Sequence, residues 1–391
     1  MRSRKNSIVS AGEVHQWALQ WLLDARLLKE RGWLCKAAVV WNIVLRAAAR
    51  MTSVFAACRD LANAPSQQAV FDALVEGLPR TLRVLERRLN EALTCACPRR
   101  MRRRAWHVAI DLHLVPYYGE PDCSRNEIYY GKFRQGTGRF HAYATACIVQ
   151  YGQRYTLALT WVRRHETNVV ALRRLLARLR ELGLKTKSLL LDRGFYGVPV
   201  AAFLQQEKIP FLMPVVFHGR RPKKRRARGG LHAIKRRKAG CYPHTMKSGK
   251  RTVAVSIYVA YRSYRNRKTR KRNSQKLLFA AWCVHGSPSE IREHYRTRFG
   301  IESSYRQMRQ AKIHTCTRKP LLRLVFVAVA LLLRNLWVWI HAEVLADGRG
   351  DAMTLNLASL RFKRILDWIA QTVVAVLHDG SIPCVVLNET A

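Results

Sequence analysis

Apolar and polar residues alternate with two different periods along this chain, and the change of period divides it. Up to about residue 104 the spacing is helical. Leu82, Val84, Leu85, Leu89 and Leu93 recur every three or four residues, and Trp17, Trp21 and Leu22 fall at mixed helical intervals. Pro65-Ser66 supplies a helix start with Ser66 as its cap. The segment closes on Pro98-Arg99-Arg100-Met101-Arg102-Arg103-Arg104, a basic hinge. From Ala105 the pattern turns to strands. Residues 106–114, 140–151 and 155–162 are β-branched and aromatic runs, with a turn at Gly136-Thr137-Gly138. A helix follows, capped by Thr167 or Asn168. Leu172, Leu175, Leu176, Leu179 and Leu182 form its apolar stripe and Gly183 ends it. Residues 188–191 predict a buried strand, 198–207 a short helix and 210–216 a further strand. Three strands, then helix, strand, helix and strand, describe a mixed α/β sheet.

Beyond residue 216 the pattern is marked by charge. No acidic residue occurs between Glu207 and Glu290, and residues 220–276 hold 22 Lys and Arg. The apolar runs 252–261 and 277–284 lie in or beside this stretch and predict a basic, β-rich insertion rather than a disordered tail. Ser287, Pro288 and Glu290 then form a full helix start, with a capping box and proline in the first turn. The spacing predicts one helix from 288 to about 311. A very apolar helix over 321–345 is expected to pack on the sheet, and a small helical tail around 360–377 completes the chain. The expected division is a helical DNA-binding domain at 1–104, a first part of the α/β core at 105–216, the basic insertion at 217–285, a second core part at 286–345 and the tail at 346–391.

Seventy Lys and Arg face 25 Asp and Glu, a formal charge of +45 on 391 residues, 49% of them hydrophobic. That apolar share argues against disorder throughout. A compact fold this basic repels itself unless a polyanion neutralises it, and nucleic acid is the expected partner. The bland reading is a solvated basic surface; the helical first segment, likewise, reads either as a duplex-binding module or as a purely structural bundle. Met1-Arg2-Ser3-Arg4-Lys5 is followed by Glu13, His15 and Asp24 rather than an apolar stretch, so no signal peptide is expected. The longest apolar run, 324–333, stops at Arg334-Asn335 and predicts a buried core helix, not a membrane span. Ten cysteines include no CxxC pair, and Cys95-Ala96-Cys97 is too tight for a zinc site. Reduced, buried thiols such as Cys147 and Cys283 are expected, in a cytoplasmic, nucleoid-associated protein.

In so basic a chain the carboxylates are scarce and informative. Asp111 lies inside the first strand, after Val108-Ala109-Ile110. Asp192 ends the strand Leu189-Leu190-Leu191, before Arg193-Gly194. Carboxylates at strand ends of an α/β sheet face the ligand crevice, and two on adjacent strands suit hard cations; each alone is equally a turn or cap residue. Tyr295, Arg298, Glu302 and Arg309 fall within an arc of about 60° on one ideal helix, at about 100° per residue. One carboxylate among a Tyr and two Arg makes a phosphate-handling surface, with Glu302 as metal ligand and the Arg residues on backbone phosphates. The plainer reading is a charged helix face with an Arg298–Glu302 pair. Gly300 leaves room for a close approach. His113 shares the face of Asp111, where a structural role is expected. No Walker loop and no GxSxG elbow is present.

Tyr295-x2-Arg298-x3-Glu302-x6-Arg309 resembles the Y-(2)-R-(3)-E-(6)-K signature of bacterial and archaeal insertion-sequence DDE transposases, with Arg309 in place of Lys. Ala109-Ile110-Asp111 is similar to the segment around that family's first catalytic Asp, and Asp192-Arg193-Gly194-Phe195-Tyr196 to the segment around its second. The resemblance spans roughly residues 105–340 and includes a β-rich insertion before the Glu-bearing helix. It implies an RNase H-like core, catalytic Asp111, Asp192 and Glu302, and two Mg²⁺ or Mn²⁺ ions held by them. One ion would activate water or a 3′-hydroxyl and the other stabilise the leaving oxygen. Its implied partners are double-stranded DNA, as element terminal repeats and target, and a second copy of the chain on that DNA. Tyr295, Arg298, Arg309, Arg193 and Tyr196 are the expected DNA contacts, with Phe195 or Tyr196 stacking on an unpaired base. Other readings are a non-catalytic DNA-binding protein or inactive element copy, a nuclease without the joining step, and a nucleic-acid packaging protein. The intact triad argues against the first and last of these.

Overall fold

The period-two segments pair into one nine-stranded sheet. The protein, seen in a computed structural model, is described over residues 9–30, 35–120, 127–150, 153–217, 230–265, 270–346 and 356–378. The basic N-terminus, residues 220–229 of the basic insertion and the end of the tail lie outside them. Strand β1 (Ala105–Pro116) is central. It runs antiparallel to β3 (Thr137–Ile148) on one side and parallel to β5 (Lys185–Leu191) on the other. The free edge of β3 is shared by β2 (Tyr129–Arg134) and β4 (Thr156–Val162), and β6 (Phe211–Pro214) extends the other side beyond β5.

The sheet then continues into the basic stretch. β9 (Arg272–Trp282) pairs antiparallel with β6, and β8 (Arg251–Arg265) and β7 (Gly240–Ser248) follow outward. β2 and β7 were not foreseen in the sequence. Both are edge strands whose outward residues are exposed, so neither has the apolar run that marks a buried strand, and β7 carries Pro243, which an edge tolerates. A short helix, α8 (Gly230–Arg236), precedes β7.

Helices cover both faces. Helices α1 (Ala11–Asp24), α2 (Ala37–Ala49), α3 (Val54–Arg59), α4 (Gln67–Gly77) and α5 (Leu82–Thr94) form the N-terminal layer. Ser66 caps α4 through the Ala69 amide at 3.2 Å. The basic hinge is a 3₁₀ turn anchored by Met101, which is fully buried and accepts from Trp106 Nε1 at 2.7 Å. Helix α6 (Asn168–Glu181) ends at Gly183 with φ +67°, where the Leu184 amide reaches back to the Leu179 carbonyl at 3.0 Å, the expected left-handed closure. Helix α7 (Val198–Gln206) joins β5 to β6. Helix α11 (Pro320–Trp339) continues as a π turn over Ile340–Val344; 320–344 is long and apolar enough to cross a membrane, yet 89% of its most apolar window is buried inside the protein. Helix α12 (Phe362–His378) is packed onto α1 and α2, and Arg46 Nη1 donates to the Ala370 carbonyl at 2.7 Å. The predicted tail is thus part of the N-terminal helical layer. Among the described cysteines, Cys58 and Cys147 are buried as expected, whereas Cys95, Cys241 and Cys316 are exposed. Cys283 is exposed, at φ +50° just past β9, because the strand has ended before it.

Asn335 ties these layers together. Its Oδ1 accepts from the Thr156 amide at 2.9 Å, and its Nδ2 donates to the carbonyls of Thr156 at 2.8 Å and Leu93 at 2.9 Å. One fully buried amide therefore holds α5, β4 and α11 at a single point. Asn335→Leu leaves these backbone groups buried without partners, each costing about 1–3 kcal/mol. We expect a loss of roughly 3 kcal/mol in urea unfolding; a loss below about 0.5 kcal/mol would show that the layers do not depend on this bridge.

Candidate active site

Strand alternation sets which side chains meet. Val108 and Ile110 of β1 enter the core shared with α5, α6 and α11, so Ala109, Asp111 and His113 face the opposite side. That side is covered by α9 (Pro288–Arg296) and α10 (Phe299–Met308). The parallel register places Ile110 beside Leu191, so Asp111 and Asp192 follow on neighbouring strands at one level. Glu302 arrives from α10.

The helix expected to run unbroken from 288 to 311 is broken. Ser287 and Glu290 form the predicted capping box, but α9 stops at Arg296. The amides of Thr297 and Arg298 bond three residues back to His294 and Tyr295, and Thr297 Oγ1 donates to the His294 carbonyl at 2.7 Å, so the regular i→i+4 ladder is interrupted there. A second turn of 3₁₀ geometry begins at Arg309. Three of the four side chains of the expected arc still meet, with the Arg298 guanidinium 5.6 Å from the Tyr295 ring and 2.5 Å from Glu302 Oε1, while Arg309 stands apart. Tyr295 is buried and donates to the Leu191 carbonyl at 3.2 Å, while Arg309 is exposed and has no ion pair among the described residues. The approach that Gly300 permits comes from within the protein, since a Cβ there would lie 2.8 Å from Arg154 Nε and 3.4 Å from the Val149 carbonyl.

Arg298 occupies the centre. Its Nη1 lies 3.3 Å from Asp111 Oδ2; its Nη2 lies 2.5 Å from Glu302 Oε1 and 3.5 Å from Asp192 Oδ1. Its side chain is 5% exposed against 16% for Asp111, 43% for Asp192 and 41% for Glu302. Asp111 stands at about 6: burial above all pushes it up, Arg298 pulls it down, and Asp192 and Glu302 add to the rise. Burial alone would lower Arg298, but Tyr295 and the three carboxylates hold it above its ordinary value. Tyr305, unremarked in the sequence, supports Asp111 from behind: its hydroxyl meets Thr145 Oγ1 at 2.6 Å and the Asp111 carbonyl at 3.2 Å, and its ring packs 4.9 Å from that of His113. His113 is buried, and burial with Arg309 and Lys312 holds it down at about 4, in keeping with a structural role. Arg193 is exposed in the 3₁₀ turn after Asp192, Tyr196 is half-buried, and Asn168 Nδ2 fixes the turn through the Gly194 carbonyl at 2.8 Å. Phe195 is buried in the core, so the stacking role considered for it is not open to it.

Three oxygen-donor residues converging on one positive charge suit a hard divalent cation. Among the described residues no group of three His, Cys, Asp or Glu side chains is already arranged to hold an ion, because the guanidinium stands between them. The donor set fits a metal once Arg298 swings aside, and the guanidinium stands in for its charge.

A second polar cluster fixes α9 to the sheet. His107 Nδ1 lies 2.8 Å from Ser188 Oγ and 3.0 Å from His294 Nε2. Burial first, then His294 and Lys187, hold His107 down at about 4; burial and Lys187 lower His294.

A mixed sheet that presents carboxylates from two adjacent parallel strands and a covering helix is consistent with the RNase H-like class. Residues 102–336, more than half of the chain, match the family described as transposase DDE domain, and the chain belongs to that family. No curated protein matches it. Its fold is similar to that of a solved piggyBac transposase, determined as a synaptic complex with hairpin DNA, with a TM-score of 0.52 at 13% identity, over 94% of this chain and 78% of that one.

Two outcomes follow from this geometry. An unfolded histidine titrates near 6.5, so between there and about 4 the unfolded chain binds protons that folded His107 refuses. Stability should therefore fall as pH drops through that window, with a shallower fall in His107→Gln; identical slopes would exclude the pair as the cause. Arg298→Met should lower metal-free stability by about 3 kcal/mol, since it strands a buried carboxylate. Mn²⁺ should then raise the Tm of that variant more than that of wild type. Equal rises would show that Arg298 does not occupy the place of an ion.

Proposed function

We propose that this protein is a DDE transposase that cleaves DNA strands at the ends of an insertion sequence and joins them to a target by metal-dependent phosphoryl transfer. The observation that carries this reading is the convergence of Asp111, Asp192 and Glu302 from β1, β5 and α10 on one central cation. Membership of the transposase DDE domain family supports it. Asp111, Asp192 and Glu302 would hold two Mg²⁺ or Mn²⁺ ions. When bound, such ions supply Lewis-acid activation of an oxygen nucleophile and charge stabilisation at the phosphoryl group.

The protein's own part is positional. Asp111 is fixed by the Leu112 amide at 2.8 Å and by the Tyr305 hydroxyl behind its carbonyl, so its carboxylate has little freedom to follow a misplaced ligand. Arg298, released from the carboxylates, keeps a delocalised cation beside the reacting phosphate, where it meets developing charge. Tyr295 holds the end of β5, and with it Asp192, through the Leu191 carbonyl. Arg193 and Arg309 are exposed, and in this reading they would contact backbone phosphates, with Tyr196 beside Arg193.

Double-stranded DNA is the partner this reading requires, as terminal repeats and as target, with a second copy of the chain assembled on it. The solved piggyBac relative is itself a synaptic complex with hairpin DNA. The exposed cations of β8 and β9, among them Arg262, Arg265 and Arg272, suit a duplex backbone.

Wild type and Glu302→Gln, given Mg²⁺ and duplexes bearing the element's own ends, form the direct test. We expect strand cleavage by wild type and a loss of at least about 10³-fold in Glu302→Gln and Asp192→Asn, with DNA affinity changed less than about threefold. Binding lost in step with cleavage would count against a metal-holding role. Affinity should also fall steeply with salt, by about 0.9 in log–log slope per phosphate contacted, and a flat titration would remove the basic surface from the argument.

A further inference from the structure

Four residues before Asp111 on β1, or about 13 Å along the strand, a second group of electron-pair donors gathers on the same face of the sheet. His107 stands beside Ser188 in the parallel register of β1 and β5, so the two side chains leave the sheet together. Helix α9 brings His294 down onto them. Three polar atoms then meet as a triangle. His107 Nδ1 lies 2.8 Å from Ser188 Oγ and 3.0 Å from His294 Nε2, and Ser188 Oγ lies 3.5 Å from His294 Nε2. Ser188 is 2% exposed, while both rings are half-buried and so keep one side toward solvent.

Hydrogen bonds alone serve this triangle poorly. An imidazole nitrogen offers either one proton or one lone pair, directed in the plane of its ring. His107 Nδ1 therefore cannot bond in line with Ser188 and His294 at once, yet both stand within bonding distance of it. The two rings meet at 67°, with centroids 4.2 Å apart. A cation beside the triangle takes a lone pair from all three atoms. Tetrahedral Zn²⁺ with bonds of about 2.0–2.1 Å sets neighbouring donors about 3.3 Å apart, and the three edges found here lie on either side of that value. The donor types select the ion. Imidazole suits Zn²⁺, Ni²⁺ or Co²⁺, whereas Mg²⁺ and Mn²⁺ call for oxygen donors, carboxylates above all. Burial, ahead of every other cause, holds both rings below the ordinary histidine range, so at neutral pH they are in the neutral form that ligates. Lys187 opposes added charge on both rings, but it is exposed and its field is screened by solvent.

We propose that His107, Ser188 and His294 form a binding site for a transition-metal dication of the Zn²⁺ type, with water completing its coordination. The ion joins β1, β5 and α9 at one point. Those are the elements that carry Asp111, lead into Asp192 and bring Tyr295 to the end of β5, so the site is a clamp on the frame of the carboxylates and not a part of them. The assignment depends neither on the carboxylates nor on the cleavage of DNA.

The test titrates the full chain with Co²⁺, whose absorption bands distinguish nitrogen and oxygen donors from thiolates, and then displaces it with Zn²⁺. Wild type should take up one Co²⁺ with the bands of nitrogen and oxygen donors, and should release it to Zn²⁺ but not to excess Mg²⁺. His107→Gln and His294→Gln should each weaken that binding by at least about tenfold. His285→Gln, a change at an exposed histidine elsewhere, should leave it unchanged. Lys187→Glu reverses the opposing charge at an exposed position and should tighten binding by at least about threefold. That variant keeps the test decisive if a histidine variant fails to fold. Asp111→Asn combined with Glu302→Gln should keep the site, so failure of the cleavage reading and failure of this one are separable. The proposal is overturned if no Co²⁺ or Zn²⁺ binds, or if the bands are those of thiolates. It is equally overturned if affinity ignores His107, His294 and Lys187, or if binding disappears with the carboxylates.

Discussion

Carboxylates on three different elements repel one another in a partly buried site unless a cation stands among them, and in this protein that cation is Arg298. Arg298 stands at the break between α9 and α10, where the amides of Thr297 and Arg298 bond three residues back. It remains paired with Glu302 one turn on while its guanidinium also reaches Asp111 of β1 and Asp192 at the end of β5. The contact with Asp111 dominates energetically, because both groups are shielded from water. The contacts with Asp192 and Glu302 are screened by solvent. The same exposure leaves those two carboxylates open to an incoming ligand.

Around that centre the protein separates two kinds of surface. The sheet face with Asp111 is paved by Ala109, Cys147, Leu190 and Leu212, small or aliphatic groups under α9 and α10. The other face carries the larger core, joined to the N-terminal helices by Asn335. Charge follows this division weakly, since a chain of net +45 is basic almost everywhere. The few acids are what carry position.

Much of this was legible in the sequence because it rests on local rules. The capping box at Ser287, the Ser66 cap, the left-handed closure at Gly183 and the alternation that sets Asp111 opposite Ile110 are all short-range. So is the placement of Asp192 at a strand end. The break at Thr297 was not legible: no Pro marks it and Gly300 lies beyond it. Edge strands β2 and β7 escaped for lack of a buried face, and Tyr305 because its role lies in a contact with Thr145, 160 positions away. The docking of α12 on α1 and α2 is likewise a matter of tertiary packing that no periodicity records.

The pairing of β9 with β6 gives the basic stretch a mechanical meaning. β8 and β9 remain in register from Ser256 and Ala281 near the core to Arg265 and Arg272 at the far end, and β9 is bonded to β6, which is bonded to β5. The hairpin is therefore a stiff beam rooted in the sheet rather than a flap on a hinge. A load along it is passed strand to strand through hydrogen-bond ladders and arrives at Leu190, two residues before Asp192.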